Sequence, residues 1–333
     1  MLLKINLLPL IIPTPLFGIR AAIFIKKHSY HAGVKLGLVL YALGAIMFLP
    51  AAKAASYAFY LIAIYIMAGG CSVLETTANP YILSMGSPDT ATRRLNIAQA
   101  FNPIGSILGI LMSKYFILSD ISLYSVSGTY VALGCALVVI LVVMCFVKMP
   151  QGGDRAEGDS LRATFGRLFA NKTYWSGVVA QFFYVGAQIG VWSFTIRIVM
   201  QELGVLEAEA STVYLVTIVG FCISRFVYTW LMRFFQPSRL LLVGAVLSAL
   251  CAFLVAVSAG SGMFLIVALV LISVFMSLMF PTIYGLALGS VSQGPHPEDA
   301  KIGASGLIMA ILGGALFPPL LVSFSAAISR RLQ

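Results

Sequence analysis

A chain of 333 residues is long enough for two or three soluble domains, but 60% of its residues are hydrophobic and only 10% are charged, against about 25% charged in a soluble globule. With a mean hydropathy of +0.99 it cannot coat a water-facing surface, and its solvent is lipid. The net charge of +10 does not indicate nucleic acid, because the lysines and arginines fall between apolar runs and form no basic stripe interleaved with aromatics.

About ten apolar segments approach the roughly 20 residues needed to span some 30 Å of hydrocarbon: 5–25, 34–52, 57–83, 96–118, 127–148, 174–199, 211–232, 239–258, 262–288 and 302–325. The first resembles a signal peptide but has no small-residue cleavage site, and Pro9, Pro13 and Pro15 interrupt it. It reads as part of a membrane helix. Lys26, Lys27 and Lys35, then Arg93 and Arg94, then the basic residues of 149–173, mark alternate gaps as cytoplasmic, while 201–210, with Glu202, Glu207 and Glu209, faces outward. The gap 289–301 breaks this rule, with Glu298 and Asp299 against Lys301.

The longest polar stretch, 149–173, divides five apolar segments from five others. Its QGGDRAEGD portion reads as a flexible linker and LRATFGRLF as an amphipathic interfacial helix. The expected organisation is an all-α membrane protein with an N-terminal helical bundle over 1–148, a cytoplasmic linker over 149–173 and a C-terminal bundle over 174–333. An internal repeat supports two halves: Asn79-Pro80-Tyr81-Ile82 with Gly86-Ser87, against Phe280-Pro281-Thr282-Ile283 with Gly289-Ser290, each followed by a Gly-rich segment. A proline at the same depth in both halves is a kinking device. Such parallel repeats belong to transporters working about a central site.

Glu75, within YIMAGGCSVLETTANPYIL, is the cleanest ionisable group in an apolar segment. A carboxyl at membrane depth must find a partner or take up a proton, and a carboxyl able to do either is what proton coupling requires. Its repeat counterpart is Met276, so only the first half carries the acid. Asn79 lies one helical turn beyond. Gln99, Asn102 and Ser106 form a second polar face, and Gln181, Tyr184, Gln188 and Trp192 a third. The alternative for such amides is interhelical hydrogen bonding. Three such stripes favour a wet cavity, in which amides suit hydroxyl-rich ligands by offering a donor and an acceptor each, and Tyr184 and Trp192 offer a sugar ring an apolar platform. Arg225, mid-segment, pairs with a backbone carbonyl or another charge in a structural or gating role. Arg197 snorkels, and Arg20 has no account. The five cysteines sit in apolar runs, the three histidines lie in loops, and no phosphate loop, nucleophile elbow or HExxH occurs. No metal, cofactor or enzymatic activity is expected.

The stretches LETTANPY, RRLNIAQAFNPIGSILG, AQFFYVGAQIGVWSFTIR and FMSLMFPTIYGLALG resemble the fucose permease branch of the major facilitator superfamily, over nearly the whole chain. Glu75 favours this branch, because the neighbouring glucose/galactose branch generally has Gln there. The resemblance implies two bundles of six helices, alternating access, and proton-coupled import of L-fucose or a related monosaccharide by a multi-pass protein of the bacterial inner (plasma) membrane, acting as a monomer with sugar, proton and lipid bilayer as its partners. It also implies that Glu75 handles the proton and sugar, and that Gln99 and Asn102 line the sugar cavity. The family's Gln-Tyr before the second-half proline is replaced here by Met279-Phe280, which implies altered sugar contacts. The family's first helix, with an Asp that works alongside the acid at Glu75, and its last helix have no counterpart. The expectation is therefore a chain truncated at both ends, with about ten of twelve helices present. The competing reading is a non-transporting fragment or sensor-like relative.

Overall fold

The computed structural model describes residues 13–112, 115–116, 123–148, 160–258 and 261–320. Every regular element among them is helical, as lipid demands of a backbone that has no water to bond with. Nine helical runs among the described residues are long and apolar enough to cross a bilayer. They coincide with nine of the ten expected segments. The other, 5–25, lies partly outside the described residues, and its described part belongs to α1 (Pro13–Lys27).

The chain continues through α2 (Tyr30–Ile46), α3 (Phe48–Ala54), α4 (Tyr57–Ser84), α5 (Ala91–Gln99), α6 (Asn102–Met112), α7 (Leu123–Phe146) and α8 (Leu161–Ala170). Then follow α9 (Lys172–Leu203), α10 (Glu207–Leu231), α11 (Pro237–Val257), α12 (Met263–Met276), α13 (Met279–Ser292) and α14 (Ala300–Met309), with helix again over 312–320. Four segments that read as continuous are interrupted, one of them at Ala310–Ile311. The other three interruptions fall at Met47, at Ala100–Phe101 and at Ser277–Leu278, shortly before Pro50, Pro103 and Pro281. A proline has no amide hydrogen for the carbonyl four residues back, and its ring crowds that carbonyl. Pro80 behaves differently, lying inside an unbroken α4. The paired prolines of the repeat thus produce an interruption only in the second half.

Contacts gather the described residues into two compact units, each drawn from three stretches: within 1–88, 108–175 and 288–309 for the first, and within 89–107, 176–287 and 310–333 for the second.

In the first unit α2 crosses α4 at glycine contacts. A Cβ on Gly44 would lie 2.5 Å from the Met67 amide nitrogen, and one on Gly70 would collide with the Tyr41 backbone. α7 packs on α2 through Leu38, Ala42 and Leu137, and also meets α3. Phe48 stacks on Tyr130 at 3.9 Å between ring centroids, and His31 Nε2 lies 2.9 Å from the Met144 carbonyl near the end of α7. α14 packs on both α1 and α4.

The QGGDRAEGD segment lies outside the described residues. LRATFGRLF forms α8, with the Ser160 hydroxyl accepting from the Ala163 amide at its N-terminus. Arg167 of α8 donates to both carboxylate oxygens of Asp299, at 2.6 and 2.9 Å, and the Thr164 hydroxyl donates to the same carboxylate at 2.9 Å. This accounts for the charge anomaly of 289–301: its buried acid, 2% exposed, is committed to α8.

In the second unit α10 and α11 both pack on α12, around a core that includes Cys251, Leu265, Leu269 and Ile272. α5 meets α10. Asn96 is fully buried and donates its amide to the Thr282 hydroxyl at 3.3 Å.

Candidate functional site

The eight residues nominated by sequence fall into two groups. Glu75 and Asn79 belong to the first unit. Gln99, Asn102, Gln181, Tyr184, Gln188 and Trp192 belong to the second.

On α4, helical spacing puts Ser72, Glu75, Thr76 and Asn79 on one face. Ser72, Thr76 and Asn79 are buried, and Glu75 is half-buried. The side of this belt toward α1 is roofed by Gly18, where an added Cβ would stand 3.5 Å from Ser72 Oγ and 3.6 Å from Thr76 Oγ1. Thr76 Oγ1 has no hydrogen-bond partner among the described residues. Among the described residues no salt bridge or hydrogen bond holds the Glu75 carboxyl.

In the second unit the four nominated residues of α9 divide by what faces them. Tyr184 donates its hydroxyl to the Met276 carbonyl at 3.0 Å, and the Trp192 indole donates to Ser273 Oγ at 3.1 Å while its ring meets Phe221 edge-on at 5.1 Å. Both polar tips are therefore engaged with α12. Gln188 is 8% exposed. Gln181 is 0% exposed, and among the described residues neither its Nε2 nor its Oε1 finds a partner. A buried amide without partners costs about 1–3 kcal/mol for each unsatisfied group, so this side chain can offer a donor and an acceptor together to a ligand or water.

Gln99 and Asn102 stand on either side of the interruption at Ala100–Phe101. Gln99 closes α5 and is half-buried, whereas Asn102 opens α6 and is exposed, as is Ser106. The face expected to carry all three is not one unbroken helix.

The residue absent from the nominations is Arg225. It is 4% exposed on α10 and makes backbone hydrogen bonds, one of the two pairings open from sequence. Nη1 donates to the Gln99 carbonyl at 2.8 Å, Nε donates to the Ser277 carbonyl at 2.8 Å, and the guanidinium carbon sits 4.6 Å from the centroid of the Phe221 ring. The available signal was the prolines: Gln99 lies four residues before Pro103, and Ser277 four before Pro281. Each carbonyl is one that a proline leaves without its helical amide.

A cavity of about 340 Å³ lies elsewhere, beside α8 and α13, lined by residues including Arg167, Asn171, His296 and Asp299. Arg167 and Asp299 are bound to each other, and His296 Nδ1 is 3.1 Å from Glu298 Oε1. None of the nominated residues lines it.

A family model described as Major Facilitator Superfamily matches residues 10–318. The chain is 38% identical over 334 residues to an L-fucose-proton symporter of Haemophilus influenzae, covering 91% of this chain and 76% of that protein. It is 35% identical over 339 residues to an L-fucose-proton symporter of Escherichia coli, covering 93% and 74%. Among solved structures it is similar to the major facilitator superfamily transporter FucP in the outward conformation, with a TM-score of 0.88 and 31% identity over 96% of this chain and 82% of that one.

Proposed function

The chain belongs to the major facilitator superfamily, and we propose that it is a sugar–proton symporter of the bacterial inner membrane, carrying L-fucose or a related monosaccharide by alternating access as a monomer. Its relatives named L-fucose-proton symporters support this reading and not an enzymatic one. The functional halves in this reading are 1–148 and 174–333, joined through 149–173.

The observation that carries the coupling assignment is Glu75: a carboxyl in the middle of a 28-residue apolar helix, with no counter-charge among the described residues. A carboxylate so placed is costly, and protonation removes the cost. A carboxyl in this position can couple transport to the proton if it takes the proton up and gives it off as its surroundings change. Asn79, one turn away, and the amides of Gln99, Asn102, Gln181 and Gln188 offer donors and acceptors to sugar hydroxyls. Tyr184 and Trp192 contribute ring surface, their polar tips being held by Met276 and Ser273.

Glu75→Gln reproduces the shape of the protonated acid and removes titration. In proteoliposomes this variant should retain sugar counterflow, which needs no net proton movement, and lose accumulation driven by a pH gradient. Undiminished accumulation would remove Glu75 from the coupling step, and loss of both activities would make it structural.

A further inference from the structure

In the second unit the membrane segments α5–α6 and α12–α13 are both interrupted, and one side chain closes both of these interruptions. Pro103 deprives the Gln99 carbonyl of its amide donor, and Pro281 does the same to the Ser277 carbonyl. Arg225 supplies the missing hydrogen to each, at 2.8 Å in both cases. Gln99 is the last residue of α5, and Ser277 is the C-cap of α12. The buried guanidinium therefore faces the negative ends of two helices. Among the described residues no carboxylate pairs with it, so these carbonyls and the Phe221 ring stand in place of a counter-ion. The guanidinium suits this task because its donors form a rigid planar fork, whereas a lysine ammonium is a single point charge.

The side chains assigned to the sugar hang from these same two interruptions. Gln99 and Asn102 flank the first. Tyr184 is bonded to the carbonyl of Met276, immediately before Ser277, and Trp192 is bonded to Ser273, one turn earlier.

We propose that Arg225 is a positioning residue of the transport site: by bonding both proline-freed carbonyls it holds the interruption in α5–α6 and the interruption in α12–α13 at a fixed spacing, and so sets the placement of Gln99, Asn102, Tyr184 and Trp192 around one ligand. It touches no substrate itself. The backbone clamp stands on the geometry alone, and its effect on the sugar rests on the function proposed above.

The test joins a readout that needs no sugar to one that does. In Arg225→Lys, amide hydrogen exchange should rise in 96–106 and 274–284 together, while the segments of α2 and α4 keep the exchange of the parent protein. L-Fucose affinity should fall about 10-fold or more, with little change in melting temperature. A rise at only one interruption, or at neither, overturns the clamp. A paired rise with unchanged sugar affinity overturns the positioning role. If the parent protein binds no L-fucose while the paired rise persists, the sugar assignment fails and the clamp stands. Arg225→Met combined with Pro103→Ala and Pro281→Ala regains both backbone donors and decides the matter if Arg225→Lys does not fold. Recovered folding with sugar affinity still depressed supports the proposal. Recovery of both, or of neither, overturns it.

Discussion

Gln181 is the residue whose chemistry is most incomplete as it stands. Its position in a polar stripe follows from spacing alone, since 181, 184, 188 and 192 recur at helical intervals. What spacing does not carry is which polar tips are already engaged. Tyr184 and Trp192 bond to partners 92 and 81 residues further along the chain, and only the fold brings those partners opposite. Arg225 escaped nomination for the same reason, because its two acceptors are 126 and 52 residues away. The orphaned amide of Gln181 gives an expectation with two signs. Gln181→Leu removes a desolvated polar group at similar bulk, so the sugar-free protein should melt at a higher temperature. The same change should weaken sugar binding by about 1–3 kcal/mol. Thermal unfolding measured with and without L-fucose reads both quantities. A variant that is less stable without sugar would mean that the amide is satisfied in place and is not waiting for a ligand.

At the scale of the element, length and hydropathy are enough to place the membrane segments, because a bilayer imposes a minimum apolar run. The interruptions are harder to read, because proline acts differently according to what can replace its missing hydrogen bond. Pro80 is absorbed within α4, whereas Pro103 and Pro281 sit at breaks where Arg225 reaches the freed carbonyls. The short helix α8 illustrates the other limit. Its amphipathic pattern predicts a helix correctly, but its tie to Asp299, 132 residues away, has no local signature. That tie is a two-pronged, charge-assisted contact with one partner buried and the other 28% exposed, and it should count for more than an ordinary surface pair. A double-mutant cycle with Arg167→Ala and Asp299→Ala should give a coupling energy of about 1–3 kcal/mol in unfolding measurements. A coupling of a few tenths would reduce it to a surface contact.

At the scale of the whole molecule, the family and the all-helical architecture are evident from composition, segment count and the stretches around Glu75 and Pro281. The grouping of helices into compact units is not, because hydropathy says where a segment crosses and nothing about which segment it packs against. Each unit is interleaved along the chain, and this has a consequence for synthesis. Helices α1 to α4 are complete once Ser84 has been made, yet α14, which packs on α1 and α4, ends only at Met309. At about 5–20 residues per second, the ribosome takes on the order of ten to fifty seconds to cover that interval. Throughout it, the earliest helices sit in the membrane with one flank uncovered, dependent on lipid or on the insertion machinery to shield them. Tyr30, buried in the finished protein with the Lys301 ammonium 5.3 Å from its ring centroid, reports on that flank. In chains stalled near residue 200, Tyr30→Cys should react readily with a maleimide, and in released chains it should be protected. Protection already complete in the stalled chain would mean that the early helices close among themselves. Otherwise the protein spends its youth half-dressed, and its vulnerability to quality control is set by the pace of translation.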